Sequence, residues 1–260
     1  MNSKLFTFIY NEKIMGTVMD SESCERYCFL KTRKKLPKKP VFHSKVSLVL
    51  FDMDGVLVDS ISSWRHVHTH FSTNNDHAVD AYVKGRISDK EFIRHDVSKW
   101  KRNDKFILKD ELHNIFSTVR LMNGAKKCIQ SLIDANVQIG IVSAGIDVLA
   151  DKVAELLGIS FVYANQLQTD DAGRLTGEGI VNVPLMQKDI VVEHIAKTRS
   201  IPQNEIVAVG NSCFDIPLLR SVGLGIAFHP DDTCIIEEAD KVVYKKDLTE
   251  VFSLINTYIE

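Results

Sequence analysis

No apolar stretch in this chain approaches the roughly 18 residues that a membrane-spanning helix needs, so no span is expected. No secretory signal is expected either, because the opening "KLFTFIY" is short and soon followed by charge. The charge imbalance is slight: a formal net charge of -2 over 260 residues argues against a general nucleic-acid partner. Cysteine is scarce and odd in number, with Cys24, Cys28, Cys128, Cys213 and Cys234 scattered along the chain. That usage lacks the pairing of a disulfide framework and reads as reduced thiols. Cys24 and Cys28 form a lone CxxxC without a second pair, which argues for thiols rather than zinc. These absences leave a cytoplasmic protein with neither a membrane nor a nucleic acid as partner.

What is present is ordinary globular composition, 45% hydrophobic and 25% charged, enough for one large core with a small second domain. Residues 31–40, "KTRKKLPKKP", hold six Lys or Arg and two Pro, a composition expected to stay solvated. Residues 1–45 therefore read as an N-terminal extension with a basic, flexible linker. From residue 46 onward, short β-prone runs (46–51, 137–142, 161–164, 205–209, 223–227 and 241–244) alternate with helical patterns such as 124–135, 146–157 and 187–198. Such alternation specifies an α/β fold with a parallel sheet and right-handed crossovers. Residues 166–182 interrupt it with Asp-Ala-Gly-Arg turn chemistry and predict a hairpin beside the sheet. Residues 60–120 show several polar helical stretches and no convincing strand, so they read as a helical cap inserted after the first strand. The core is then 46–59 and 121–260.

Parallel sheets carry their sites at the carboxyl ends of their strands. The first strand runs into "LVLFDMDGVLVDS", where Asp52 and Asp54 would crowd each other on one side of an extended chain. Like charges that close need a cation or a proton between them. Gly55 follows and allows backbone N–H groups to approach an anion. The second strand ends in Ser143, Ala144 and Gly145, Lys188 opens a helix, and "AVGNSCFDIP" places Asn211 and Asp215 after a further strand. Two carboxylates, a hydroxyl, an ammonium, a carboxamide and another carboxylate suit Mg²⁺ with a phosphoryl group. Asp52 as nucleophile would form an aspartyl phosphate, with Asp54 as acid and base. The metal would rest on Asp52, the Asp54 backbone carbonyl, Asp215 and Asn211, and the phosphate on Gly55, Ser143, Ala144 and Lys188. Taken singly each has a blander account: a helix cap for the aspartates and Ser143, an exposed charge for Lys188. Their succession, each at a strand end or helix start, favours the site.

"FDMDGVL", "VSAG", Lys188 and "VGNSCFDIPLL" resemble the four motifs of the haloacid dehalogenase superfamily, in order over residues 46–247. The resemblance implies a Rossmann-like core, Mg²⁺ and an aspartyl phosphate on Asp52. The helical cap, the hairpin after "FVYANQL", and "GLGIAFHP" resemble the phosphoserine phosphatase branch. Three positions depart from that branch. Ile61 stands where a glutamate meets the substrate ammonium, Asp96 where a cap arginine meets its carboxylate, and Phe214 replaces an asparagine. Asn211 also replaces the aspartate that begins the last motif. Arg65, Arg86 and Arg94 are alternative anchors for an anionic leaving group, although solvated helix faces account for them. The expected substrate is a small phosphorylated metabolite. A sugar-phosphate phosphatase or phosphomutase, and a catalytically weak binding or regulatory member, are the competing readings. "HVHTH" at 66–70 cannot converge on a metal from a helix and reads as cap surface. Asp59 is expected to cap the first inserted helix.

Overall fold

A computed structural model describes residues 36–259. Its centre is β1 (Leu48–Phe51), a four-residue strand buried at every position. The strand alternates between two cores, with Leu48 and Leu50 on one face of the sheet and Val49 and Phe51 on the other. A strand buried on both faces has no polar side to display, which is why "LVLF" is continuous rather than alternating. β1 lies between β4 (Gln138–Ile146) and β7 (Ile206–Gly210), parallel to both. β5 (Phe161–Thr169) extends the sheet beyond β4, while β8 (Leu224–Phe228) and β9 (Lys241–Val243) extend it beyond β7. The chain thus leaves β1 in one direction and later returns on its other side. This reversal opens a crevice at the carboxyl ends of β1, β4 and β7.

The interstrand helices α5 (Ala125–Asp134), α6 (Asp147–Leu157) and α7 (Lys188–Arg199) fall where the apolar periodicity places them. Helices α8 (Ile216–Arg220), α9 (Thr233–Glu238) and α10 (Thr249–Ile255) complete the core. The expected hairpin is present: β6 (Leu175–Ile180) turns back antiparallel onto β5 with Gln166 opposite Ile180. It makes the outer edge of the seven-stranded sheet. No helix among the described residues is long and apolar enough to cross a membrane.

The segment after β1 carries α1 (Ser63–His70), α2 (Asp76–Val83), α3 (Asp89–Val97) and α4 (Lys109–Ile115). Between α3 and α4 a two-residue antiparallel pair, β2 (Lys101–Arg102) and β3 (Lys105–Phe106), corrects the expectation of a strandless insertion. Asn103 and Asp104 supply the positive φ values that so tight a turn requires. The insertion leans on the hairpin: Arg94 Nε donates to Glu178 Oε1 at 2.7 Å and Leu108 pairs with Arg174.

Three further local expectations are corrected. Asp59 does not cap α1; Ser62 does, accepting from Arg65 N, while Asp59 pairs with Lys246 at 2.6 Å. His68 is not cap surface but is 1% exposed, because its i, i+4 neighbours put that face of α1 against Trp100. Its Nδ1 meets Thr73 Oγ1 at 2.7 Å and its Nε2 lies 3.4 Å from Asp96 Oδ1. The N-terminal extension does not continue to residue 45. Leu36 and Phe42 pack against the two cores, and Lys39 Nζ donates to Leu219 O and pairs with Asp240. The lysines keep their heads polar while the intervening apolar residues bind, an arrangement that average composition conceals. The remainder of the extension, including the Cys24–Cys28 pair, lies outside the described residues.

Candidate active site

β1 ends at Phe51, and the next residue is the first carboxylate. The Asp52 backbone N–H still donates to Val209 O at 2.9 Å, which fixes the side chain at the mouth of the crevice. After it the chain curls tightly, and Val56, Leu57 and Val58 all donate to Met53 O. Gly55 makes that curl at φ 76°, and a Cβ there would collide with the Asn211 carboxamide. The glycine predicted to admit an anion thus also admits Asn211.

Lys188, the first residue of α7, is 2% exposed and joins two strand ends. Its ammonium meets Asp52 Oδ1 at 2.9 Å and Asp215 Oδ1 at 2.6 Å. Asp215 Oδ2 accepts from Asn211 N at 3.0 Å and Ser212 N at 3.2 Å, so protein donors hold both of its oxygens. Burial alone would lower the lysine pKa, but Asp215 and Asp52 hold it above the usual lysine range. The ammonium is therefore a permanent charge. For Asp52 the dominant influence is burial, which raises its pKa to about 7 against the opposing pull of Lys188. Burial likewise raises Asp54 to about 6, although hydrogen bonds from Ser63 counter it.

Asp54 Oδ2 accepts from Ser63 N at 2.9 Å and Ser63 Oγ at 2.8 Å, while its Oδ1 is buried with no hydrogen-bond partner among the described residues. Ser63 Oγ in turn accepts from Ile146 N at 3.2 Å. One serine on α1 therefore links the acid after β1 to the end of β4. Trp64 makes the neighbouring link, donating Nε1–H to Ala144 O at 3.0 Å. Ser143 Oγ accepts from Gly145 N at 3.1 Å.

Asp52, Asp54, Ser143, Ala144, Lys188 and Asn211 line one cavity of about 290 Å³. Gly55 stands behind Asn211, and Asp215 lies beneath Lys188 with no exposure. The sequence reading missed Ser63, Trp64 and Asp231. Asp231 lines the cavity and accepts from Asn211 Nδ2 at 2.6 Å. The doubled acid of "HPDD" was the available signal: Asp232 caps α9 through Ile235 N, which leaves Asp231 for the site. Of the three departures from the phosphoserine phosphatase pattern, Ile61 and Phe214 line the cavity. Asp96 is fully buried in the cap, where Asn75 Nδ2 donates to it at 2.9 Å. Arg86 pairs with Asp80 and Arg94 with Glu178, outside the cavity; Arg65 lies at its edge.

This arrangement recurs in known proteins. The family profile of the haloacid dehalogenase-like hydrolases matches residues 49–220. A phosphoserine phosphatase of Archaeoglobus fulgidus is 30% identical over 221 residues, 82% of this chain and 61% of that protein's length, so the chain spans less than two thirds of that relative. The phosphoserine phosphatase of Methanocaldococcus jannaschii is 30% identical over 222 residues, 81% of this chain and 98% of that protein. A solved phospho-aspartyl intermediate analogue of phosphoserine phosphatase superposes with a TM-score of 0.67 at 28% identity, over 81% of this chain and 99% of the other. A substrate-bound phosphoserine phosphatase gives the same TM-score at 26% identity, over 81% and 98%. The chain belongs to the haloacid dehalogenase-like hydrolases, and the four relatives named above are phosphoserine phosphatases.

Proposed function

We propose that the chain is a Mg²⁺-dependent phosphomonoester hydrolase that works through an aspartyl phosphate on Asp52, resembling phosphoserine phosphatases in core and cap. The observation that carries this is Lys188: a fully buried ammonium clamped between Asp52 and Asp215, beside a second carboxylate, in a cavity at the strand reversal. A buried lysine so held costs desolvation that a merely structural core would avoid. Its charge stands where the phosphoryl oxygens of a substrate on Asp52 would lie.

The chemistry then follows from the side chains. An Asp52 carboxylate oxygen attacks phosphorus, the ester P–O bond breaks, and the leaving alkoxide takes the proton of Asp54. Burial favours that proton on Asp54, and Ser63 fixes the oxygen that does not deliver it. The resulting Asp54 carboxylate takes a proton from water as the water oxygen attacks phosphorus, the Asp52–phosphorus bond breaks and phosphate leaves. Lys188 and the Ser143 hydroxyl hold equatorial oxygens through both steps.

The donor set suits a hard cation. Asp54 Oδ1 is an orphaned buried oxygen, and the carboxyl groups of Asp52, Asp54 and Asp231 border one cavity. Among the described residues no three His, Cys, Asp or Glu side chains yet converge on one point, since Lys188 occupies the space between Asp52 and Asp215. Asp52, the Asp54 carbonyl and Asn211 would hold Mg²⁺, with Asp215 behind them. The cation would supply charge that favours the ionised nucleophile and steadies the transferring phosphoryl group. The phosphoserine phosphatases among its relatives, one of them solved with substrate bound, support a small phosphorylated metabolite as substrate.

Hydrolysis of p-nitrophenyl phosphate with and without Mg²⁺ tests this reading. Wild type is expected to turn over only with the cation, and Asp52→Asn to lose turnover entirely. A wild type inert at every Mg²⁺ concentration would instead point to a binding or regulatory protein.

A further inference from the structure

Above the carboxylates the cavity changes character. Its cap-side wall is built from Ile61, Trp64, Val79, Phe92, Ile93 and Leu185. The polar side chains on that wall are already committed elsewhere. Asp89 Oδ1 accepts from Tyr82 Oη at 2.8 Å and from Leu185 N at 3.0 Å. Asn75 donates its amide to Asp96. Asn165 donates to Ala144 O and Val183 O and accepts from Asn182 N and Val183 N. Arg65 and Asp76 remain at the mouth as a pair 3.8 Å apart, with side chains 58% and 68% exposed.

A leaving group carrying an ammonium and a carboxylate would shed its hydration here with no buried cation on that wall for the carboxylate and, for the ammonium, only Asp89, already engaged through Oδ1, an unfavourable exchange. An apolar leaving group gains instead, by about fourfold in affinity for each buried methylene. Ile61 points the same way: it is 72% exposed at this cavity, an apolar side chain left in water until something covers it.

We infer that the enzyme's substrates are phosphate monoesters of small uncharged alcohols with an apolar body, alkyl or aryl, rather than phosphorylated amino acids. The inference rests on the phosphatase reading above. Ile61 sets the preference from the cap side, and Phe214 closes the same chamber from the core.

Binding of matched phosphonates to the full chain with Mg²⁺, followed by calorimetry, reads the chamber without requiring turnover. Butylphosphonate and 2-amino-4-phosphonobutyrate share a carbon chain and differ only in the two charged groups. Butylphosphonate is expected to bind at least about tenfold more tightly. In parallel, kcat/KM for benzyl phosphate should exceed that for O-phosphoserine by a similar factor, and Ile61→Glu should narrow both ratios. Equal or tighter binding of the amino-acid analogue overturns the inference, as does an O-phosphoserine preference that Arg65→Ala abolishes. Either result leaves the phosphatase reading standing if Asp52→Asn still abolishes turnover of the aryl ester. Loss of all turnover in wild type removes the phosphatase reading and the substrate assignment with it, even if butylphosphonate binds the more tightly.

Discussion

Ser63 has no covalent part in the proposed mechanism, yet it holds the carboxyl group assigned there to proton transfer. Its hydroxyl donates to Asp54 and accepts from Ile146 N, so removing it leaves Asp54 held by the Ser63 backbone N–H alone and leaves a buried N–H unpaired. Losing such a bond costs about 1–3 kcal/mol. Ser63→Ala should therefore lower kcat by roughly 10- to 100-fold, with KM little changed; a fall in KM-dependent rate alone would refute the positioning role. Asn211 makes the complementary case. Its amide nitrogen is spent on Asp231, so the site carries its negative charge one residue outward from where the family's aspartate would bring it. Asn211→Asp places like charge against Asp231, in the cavity that Asp52 also lines, and a bound cation relieves it. The Mg²⁺ concentration for half-maximal rate should fall in this variant, and an unchanged value would remove Asn211 from the metal's surroundings. Asp52, Asp54 and Lys188 could be placed at a strand end and a helix start, but each was ambiguous alone and only their succession suggested a site. Asp231 was not, since an Asp-Asp pair beside a helix reads as a cap and its spare member.

At the scale of elements, the cap is held by a buried polar cluster rather than by apolar contact alone. Asp96 on α3 accepts from Asn75 before α2 and stands beside His68 on α1, so one carboxylate ties three helices together. Trp100 lies against the same cluster and stacks on Trp64 at 5.7 Å, which carries the cap's order down to Ala144. Asp96→Ala leaves the Asn75 amide without its buried acceptor and should destabilise the fold by about 1–3 kcal/mol, measurable by urea denaturation. A cost near zero would mean that the cap relaxes around the gap. The histidine pattern misled the sequence reading for an instructive reason. A helix spacing argument shows which imidazoles cannot converge, but not which face of α1 the fold will bury, and Trp100, more than thirty residues away, decides that.

For the whole molecule, the cavity joins the carboxyl ends of β1, β4 and β7 to a cap, so a ligand that bridges them should stabilise all of these elements together. Mg²⁺ at about 100 times its Kd would add about 2.7 kcal/mol to the folded state. That corresponds to roughly 5–10 °C in Tm for a chain of this size. A melting temperature indifferent to Mg²⁺ would count against a preformed metal site. The alternating strands and helices of the core and the hairpin could be read from the chain, because each is written in local periodicity or turn chemistry, whereas the β2–β3 pair was too short to register. The attachment of residues 36–45 could not, since Leu36 and Phe42 find their partners only across the folded core. The sequence by itself determined which reactive side chains are present and where along the chain they fall: two aspartates after a buried strand, a lysine opening a helix, and an Asn–Asp loop after a further strand. Tertiary structure alone decided what surrounds that chemistry. Burial joined Lys188 to both Asp52 and Asp215, Ser63 crossed from the cap to orient Asp54, and the side chains above them presented an apolar wall. Such contacts depend on which distant faces meet in space, and local sequence does not encode that.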